Sequence, residues 1–252
     1  MKPDFHPLRA LWRVIRGLWL WLGIALAVTF CGLLSLPTLA LTGSGRMGHR
    51  VFAQGWGRFI LWWSGVTLRV EGFDSLEGDQ SVVIVANHPS HYGFYAIAAA
   101  FPLQWRAVIR HEMRRIPIFG YVAEKAGHVF VRLGDRDRTR ADMQAGVDRL
   151  REGYWLLVFP EGRPSPPEGP RPFKAGAFRL AIDAGAAVLP VALEETYPDG
   201  GTPGWYAAPA RLTVRIGKPL GTASLTREDA RPLAEQARDE IIARLSDAPS
   251  SA

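Results

Sequence analysis

The longest apolar stretch of the chain lies near its N-terminus. No charged residue occurs between Arg16 and Arg46, and residues 17–36 consist mainly of Leu, Trp, Ala, Ile, Val and Phe. Because about 20 apolar residues span the hydrocarbon core of a bilayer, this pattern predicts a helix that enters a membrane. Proline fixes φ and lacks an N–H donor, so Pro37 is expected to end or kink the helix.

A second apolar stretch, residues 51–68, contains Arg58 and is predicted to be an interfacial helix rather than a second clean span. Basic residues flank the first stretch on both sides, which favours a re-entrant or in-plane hairpin with both ends on the cytoplasmic face. A cleavable signal peptide ending near Ala40 is the alternative. Six of the nine tryptophans lie in these first 70 residues, as expected of interfacial anchors: Trp12, Trp19, Trp21, Trp56, Trp62 and Trp63.

From residue 71 the pattern changes to short apolar strands that alternate with helical stretches. Gly153 and Gly185 stand where a left-handed residue ends a helix, and Thr226 with Asp229 forms a capping-box pattern. The predicted strands cover residues 81–86, 106–109, 128–131, 154–159, 187–193 and 211–216, and the predicted helices cover residues 94–101, 137–151, 174–184 and 227–245.

This order of elements predicts an α/β fold, with an open, mixed and largely parallel sheet covered by helices. The membrane-associated helical segment is assigned to residues 1–70 and the α/β domain to residues 71–252. Residues 1–70 hold eight Lys or Arg and one acid, whereas residues 71–252 hold 22 and 23. Positive charge beside apolar sequence favours anionic lipid headgroups and argues against nucleic acid as the partner.

Several classes of site are disfavoured by the absence of their sequence patterns. The only cysteine, Cys31, lies in the apolar run, so the chain has no intrachain disulfide framework. The sequence contains no His/Cys cluster with zinc spacing, no Gly-x4-Gly-Lys-Ser/Thr loop and no Gly-x-Ser-x-Gly elbow. These absences argue against metallohydrolases, P-loop kinases and serine hydrolases.

Candidate chemistry lies where predicted strands end. Asn87-His88 follows the strand 81–86, and a histidine there is suited to act as a general base, although it could equally cap the next helix. Phe159-Pro160-Glu161-Gly162-Arg163 follows the next buried strand, where a glycine permits close backbone approach and the charged residues suit hydroxyl or phosphate groups. Lys174 opens a later helix; a solvated surface lysine is the plainer interpretation.

Taken in order, these segments resemble the lysophosphatidate acyltransferase family. Its members show Asn-His-x4-Asp, an aromatic-aliphatic strand with an arginine, Phe-Pro-Glu-Gly, and a Val-Pro-Val strand. The matching segments are Asn87-His88, Phe130-Val131-Arg132, Phe159-Pro160-Glu161-Gly162 and Leu189-Pro190-Val191. The resemblance implies that His88 is the base, that basic residues bind the glycerol phosphate, and that the acceptor site is shaped by Asn87, Phe159, Pro160, Glu161 and Gly162. Arg132, Arg163 and Lys174 each lie near a predicted strand end or helix start on the same edge as His88, and they are the cations expected to hold the anionic group of the substrate.

The chain departs from the family pattern at Gly93, which stands where the family has the aspartate that orients the histidine. Two arginines, Arg132 and Arg163, are also each displaced by one position. Spoiling the orienting residue of a comparable catalytic group costs about 10⁴ in turnover. Either another carboxylate such as Glu112 or Glu161 replaces it, or the chain was inactivated by engineering, or it is a natural pseudoenzyme that binds lysolipid or acyl carrier.

The function implied by the resemblance is transfer of a fatty acyl group to the free hydroxyl of a lysophospholipid. The expected acceptor is lysophosphatidate, which would give phosphatidate. The donor is acyl-CoA or acyl carrier protein. The resemblance implies no metal or other cofactor, because a histidine base suffices for an already activated thioester. The expected partners are membrane lipids and these substrates, and the expected location is the cytoplasmic face of a membrane.

Overall fold

The computed structural model describes residues 7–42, 45–72, 81–101, 104–198 and 204–246. The helices are α1 (Pro7–Thr42), α2 (Gly45–Trp63), α3 (Tyr92–Ala100), α4 (Phe119–Lys125), α5 (Arg136–Arg151), α6 (Gly176–Ala184) and α7 (Ala230–Ser246). The strands are β1 (Thr67–Glu71), β2 (Val82–Ala86), β3 (Trp105–Arg110), β4 (Val129–Val131), β5 (Trp155–Val158), β6 (Ala187–Thr196) and β7 (Arg211–Ile216). Short 3₁₀ helices cover His111–Arg115 and Arg227–Asp229.

The seven strands form one sheet in the order β1-β7-β6-β2-β5-β3-β4. Among the strand pairs that the structure describes, only β6–β7 is antiparallel, so the prediction of a mixed, largely parallel sheet is confirmed. The sequence pattern missed β1, because the predicted interfacial helix ran through Leu68. In the structure Leu68 pairs with Leu212 of β7, and a partner 144 positions away leaves no mark in local periodicity.

The two faces of the sheet bury different helices, as the alternation of side chains along β2 requires. Ile84 points into a cluster with α1, α2 and α3. Val83 and Val85 point to the opposite face and pack with α5, α6 and α7. Gly153 and Gly185 adopt positive φ at the ends of α5 and α6, as predicted.

The capping box predicted at Thr226 is also formed. Its side chain and that of Asp229 bond reciprocally to the main chain and close the first turn before α7. This reciprocal arrangement satisfies donors that a helix start leaves unpaired.

Helices α1 and α2 form an antiparallel hairpin. The Trp63 indole N–H donates to the Trp19 carbonyl at 3.0 Å, and the two rings stack at 4.2 Å. Of the two effects expected of Pro37, ending α1 or kinking it, the first is wrong, because the helix continues to Thr42. A proline removes one donor and crowds one carbonyl, which does not end a 36-residue helix whose other turns are intact.

The outer face of α1 is apolar and largely uncovered. One helix in the described part of the chain is long and apolar enough to cross a membrane, over residues 11–31, and only 22% of it is buried within the protein. Its exposed side chains include Leu11, Trp12, Leu18, Leu22, Leu26 and Phe30.

Helix α2 packs closely against α3 of the α/β domain. A Cβ at Gly57 would come within 2.6 Å of the Tyr95 carbonyl oxygen, so only glycine permits this approach. Ile60 and Leu61 are buried in the same cluster as α3. Hydrophobic contacts therefore continue across residue 70, and the helical hairpin is anchored directly beside the elements that follow β2.

Candidate active site

His88 lies two residues beyond β2, and Phe159 follows the neighbouring strand β5 directly. Because β2 and β5 run parallel, their carboxyl ends meet at one edge of the sheet. The His88 and Phe159 rings stack there with centroids 4.4 Å apart. The structure thus brings together the two sequence clusters that the resemblance singled out.

Glu161 ties the two loops together through a carboxylate that is 4% exposed. Its Oε1 accepts the His88 main-chain N–H at 2.8 Å and the Ser165 hydroxyl at 2.6 Å. Its Oε2 accepts the Arg171 main-chain N–H at 2.8 Å. A buried carboxylate is tolerated when hydrogen bonds satisfy it, so Glu161 fixes the position of the His88 backbone.

Asn87 performs the corresponding task on the other side of β2. Its amide N–H donates to the Leu193 carbonyl at 2.9 Å, and its Oδ1 accepts the Leu193 N–H at 2.7 Å. The side chain is buried and both of its polar ends contact β6 rather than the open edge of the site. The structure therefore places Asn87 between strands, although the resemblance put it among substrate-binding residues.

The environment of His88 favours the neutral imidazole. Burial lowers its pKa below the ordinary value of 6.5, while the nearby Glu161 carboxylate and the Ser90 main chain raise it in part. Nδ1 is buried and makes no hydrogen bond of ordinary geometry with the described residues. Burial lowers the pKa of His91 to about 4, and repulsion from a protonated His88 acts in the same direction. His91 is therefore neutral as well at neutral pH.

Gly93 occupies the first turn of α3 with ordinary helical backbone, and it is not among the glycines with positive φ. A Cβ at this position would lie 2.7 Å from Leu193 Cδ1 and 3.9 Å from Pro89 Cδ. The space beside Gly93 is thus filled by the end of a leucine side chain. No backbone feature requires glycine here.

Lys174 lies against the turn after β5. Its main-chain N–H donates to the Pro160 carbonyl at 3.0 Å, and a Cβ at Gly162 would come within 2.6 Å of the Lys174 ammonium nitrogen. Gly162 has a φ of 73°, a conformation that favours glycine. Arg163 follows with an exposed side chain. The structure therefore places two cations on the turn that holds Glu161.

Arg132 follows β4, at the edge of the sheet. It shares the carboxyl edge with His88, but β5 and β3 lie between, which corresponds to three strand spacings or about 14 Å. Its guanidinium binds both oxygens of Asp142, at 2.9 Å from Nε and 2.5 Å from the second nitrogen. This hydrogen bonding lowers the pKa of Asp142 to about 2. The structure does not bring Arg132 into contact with the His88 cluster.

Sequence reasoning missed four residues that build the site: Ser90, Ser165, Arg171 and Glu195. Ser165 and Arg171 contribute to the Glu161 bonds. Ser165 stands three positions after Gly162, where the family pattern Phe-Pro-Glu-Gly-Thr-Arg-Ser has its serine, whereas Arg171 lies in no recognisable pattern. Ser90 donates to Glu195 at 2.6 Å across 105 positions of sequence. Among the described residues, no group of three His, Cys, Asp or Glu side chains is placed to hold a metal ion.

Comparisons with known proteins agree with this geometry. The family model described as Acyltransferase matches residues 67–194. A 1-acyl-sn-glycerol-3-phosphate acyltransferase of Neisseria meningitidis is 31% identical over 205 residues, covering 76% of this chain and 79% of that protein. A lyso-ornithine lipid O-acyltransferase of Pseudomonas aeruginosa is 34% identical over 150 residues, covering 58% and 56%.

The fold also matches a solved structure. The crystal structure of the 1-acyl-sn-glycerophosphate acyltransferase PlsC from Thermotoga maritima superposes with a TM-score of 0.78 at 22% identity, covering 96% of this chain and all of the other. The family match spans half of the chain, and it includes both His88 and the Glu161 turn. This chain belongs to the acyltransferase family of the 1-acylglycerol-3-phosphate acyltransferase type.

Proposed function

We propose that the protein transfers a fatty acyl group from a thioester donor to the free hydroxyl of lysophosphatidate, giving phosphatidate. The observation that carries this proposal is the placement of His88 at the carboxyl edge of the sheet, in a chain whose relatives bear the names of such enzymes. The donor is acyl-CoA or acyl carrier protein. The thioester is already activated, so the reaction needs only a base and a site that positions both substrates.

In the proposed reaction the acceptor hydroxyl loses its proton to a ring nitrogen of His88 as its oxygen attacks the thioester carbonyl. The new C–O bond forms, the C–S bond breaks, and the proton passes to the departing thiolate. Burial keeps the pKa of His88 below 6.5. The imidazole is therefore unprotonated, and ready to accept a proton, at neutral pH.

Phosphate binding is proposed for Lys174 and Arg163, the cations on the Glu161 turn. Only a few covalent bonds separate the reacting hydroxyl of lysophosphatidate from its phosphate. Cations next to the His88 cluster therefore suit this headgroup better than Arg132, which lies about 14 Å along the sheet edge. Arg132 is proposed to contact a more distant part of a substrate, such as the donor.

The membrane is the proposed location. The exposed apolar face of α1 would insert into lipid, and the basic residues that flank it would face anionic headgroups of the cytoplasmic leaflet. The hairpin packs directly on α3, which follows the His88 loop. Lysophospholipid held in the membrane would thus lie beside the site.

Gly93 favours one alternative, a protein of this fold that binds lysolipid or acyl carrier with little turnover. A carboxylate that orients a catalytic histidine contributes up to about 10⁴ in rate. Its loss leaves the rate that arises from binding and positioning, so slow acyl transfer is the expected activity. The hydrogen bond from the His88 main-chain N–H to Glu161 remains to hold the loop that carries the imidazole.

The test is acyl transfer by the purified full chain with palmitoyl-CoA or palmitoyl acyl carrier protein as donor. Lysophosphatidate, lysophosphatidylcholine and lyso-ornithine lipid serve as acceptors. We expect phosphatidate formation that His88→Ala abolishes and that Thr222→Val, a change at a buried hydroxyl bonded to Ala186, leaves intact. Transfer to lyso-ornithine lipid alone would show that this lipid, and not lysophosphatidate, is the acceptor. Lysophosphatidate binding without His88-dependent transfer to any acceptor would favour the alternative, a protein of this fold that binds lysolipid with little turnover.

A further inference from the structure

The segment between β3 and α4, residues 111–118, forms a protrusion that the proposed reaction does not use. Because β2 and β3 both run parallel to β5, this β3–α4 protrusion begins at the same edge of the sheet as the His88 loop. All seven residues from 112 to 118 are exposed, and four of them are apolar: Met113, Ile116, Pro117 and Ile118. Contiguous exposed apolar side chains mark surfaces that bind a partner or a membrane.

Ile118 is exposed despite an unfavourable main-chain conformation. Its φ is 63° and its ψ is −57°, and the Phe119 N–H donates to the Pro117 carbonyl at 2.6 Å. These values define a γ-turn of the rare, strained kind. Among the described residues other than glycine, only Ile118 has a positive φ, and a β-branched side chain suits that conformation poorly. The side chain is still 40% exposed, so the strain is not offset by burial within the protein.

The main chain of the β3–α4 protrusion is closed by its own hydrogen bonds. The Ile116 N–H donates to the Met113 carbonyl at 3.2 Å, and the Gly120 N–H donates to the Ile116 carbonyl at 2.9 Å. A Cβ at Gly120 would overlap the Arg114 carbonyl oxygen, so glycine permits the close return of the chain. The apolar side chains are therefore presented on a backbone that is fixed locally.

The surroundings of the protrusion indicate what covers it. Helix α4 continues from it and lies against α1, the helix that is long and apolar enough to cross a membrane. The exposed Tyr121 of α4 has an amphipathic ring of the kind that lies at a lipid–water interface.

The charges of the protrusion are largely paired. Arg110 lies 3.5 Å from Glu112, and the Arg114 Nε donates to Glu124 at 3.0 Å. An acidic protein would be recognised chiefly by complementary charge. Exposed apolar side chains beside a membrane helix, with paired cations, fit a lipid surface better.

We propose that the β3–α4 protrusion is a second membrane-contact surface, which inserts Met113, Ile116 and Ile118 into the interfacial region of the bilayer beside α1. Contact at two places holds the carboxyl edge of the sheet, and with it the His88 loop, at the membrane surface. Burial in lipid supplies the cover that these side chains lack within the protein. The inference rests on the proposed membrane location, but it does not depend on acyl transfer.

The first experiment reports the environment of the protrusion without turnover. Full-length protein with Cys31→Ser, which removes the only native cysteine, and Ile116→Cys is labelled with a thiol-reactive NBD fluorophore. On mixing with vesicles of phosphatidylcholine and phosphatidylglycerol, the NBD emission should shift to shorter wavelength and should be quenched by spin-labelled lipid. Glu235→Cys is the matched control, because it places the label at an exposed position of α7, on the opposite face of the sheet from α1. It should show neither change.

The second experiment separates membrane contact from folding. Ile118→Gly removes an exposed apolar side chain and relieves the unfavourable φ. It should not lower the free energy of unfolding, measured by denaturant titration, yet it should reduce the quenching of a label at residue 116 by spin-labelled lipid. A purely structural role for Ile118 predicts the opposite pair of results, a less stable protein with unchanged quenching.

The outcomes distinguish this inference from the proposals on which it builds. Emission at residue 116 that keeps its aqueous wavelength on vesicle-bound protein would overturn the inference and leave the membrane role of α1 intact. An emission shift produced by acyl carrier protein, and not by vesicles, would also overturn it and would assign the surface to a protein partner. Failure of the full chain to bind vesicles would overturn the membrane location together with the inference. Acyl transfer is measured separately, and its absence would leave the result at residue 116 unchanged.

Discussion

The main-chain N–H of His88 donates to the Glu161 carboxylate at 2.8 Å, across 73 positions of sequence. Glu161 thus contacts the backbone of the candidate base rather than its ring. The same carboxylate holds Ser165 and Arg171. The turn after β5 and the loop after β2 therefore form one unit. A substitution that breaks the Glu161 bonds should change the position of His88.

Glu161→Ala should both destabilise the protein and reduce acyl transfer. It leaves the Ser165 hydroxyl and the Arg171 N–H without their acceptor and the His88 N–H with only its longer bond to Ser165, at 3.2 Å. Each buried donor left unsatisfied costs about 1–3 kcal/mol. We expect a loss of several kcal/mol in the free energy of unfolding, measured by denaturant titration, and a lower kcat. Glu168→Ala, an exposed change in the same loop, is the control. Equal stability of the two variants would contradict the conclusion that Glu161 holds the two loops together.

Gly93→Asp should raise acyl transfer by about 10²–10⁴-fold, the scale of an orienting carboxylate in an assembled site. The helical backbone at Gly93 accepts a side chain, but its Cβ would meet Leu193 Cδ1 at 2.7 Å. Pairing the change with Leu193→Val removes that methyl group. Leu193→Val alone is the control for the cavity. A folded double variant no faster than this control would count against His88 as the base.

Substitutions that remove the positive charge should distinguish the roles of the three candidate cations in phosphate binding. Lys174→Gln and Arg163→Gln should raise KM for lysophosphatidate more than for lyso-ornithine lipid, because they adjoin the Glu161 turn. Arg132→Gln should change this ratio less, since Arg132 lies beyond β4, three strands from His88, and its guanidinium is bonded to Asp142 of α5. Steady-state kinetics with both acceptors provide the comparison. If Arg132→Gln raised KM for lysophosphatidate, relative to lyso-ornithine lipid, more than the other two changes, Arg132 would be the phosphate-binding residue instead.

The acid limb of the kcat/KM profile should lie below pH 6.5. Burial disfavours the imidazolium form and lowers the pKa of His88, so the base stays unprotonated until the pH falls through that lowered value. Activity is therefore retained in mildly acidic buffer and lost only below it. Profiles recorded with acyl-CoA from pH 4.5 to pH 8 test this, alongside circular dichroism to confirm folding. An apparent pKa above 6.5 would contradict it.

Vesicle binding should depend on the exposed face of α1 and resist high salt. Polar substitution of Leu18, Leu22 and Leu26, each about half exposed, should weaken co-sedimentation with vesicles containing phosphatidylglycerol. Hydrophobic insertion is not screened by salt, whereas headgroup attraction is. Val70→Gln, at an exposed position of β1, is the control. Release of the wild-type protein by salt alone would show that apolar insertion is not the main anchor.

Point substitutions are preferred to deletion of residues 1–70. Ile60 and Leu61 of α2 are buried in the cluster that includes α3. Removing the whole segment would uncover part of that core, and loss of vesicle binding would then be confounded with unfolding.

The sequence by itself determined the fold class, most of the strands and helices, and the two loops that meet at the site. Apolar alternation, helix caps and the Asn-His and Phe-Pro-Glu-Gly segments are local signals. Each depends on neighbours within a few positions, and the predicted caps at Gly153, Gly185 and Thr226 formed for this reason.

Only the tertiary structure decided which side chains face substrate and which hold the chain. Asn87 bonds to Leu193 and Ser90 bonds to Glu195, both on β6, whereas Arg132 lies beyond β4, three strands from His88. The strand β1 likewise exists through its pairing with β7. The order of strands in the sheet sets these partnerships, and that order arises from packing between segments up to 144 positions apart, which no local pattern encodes.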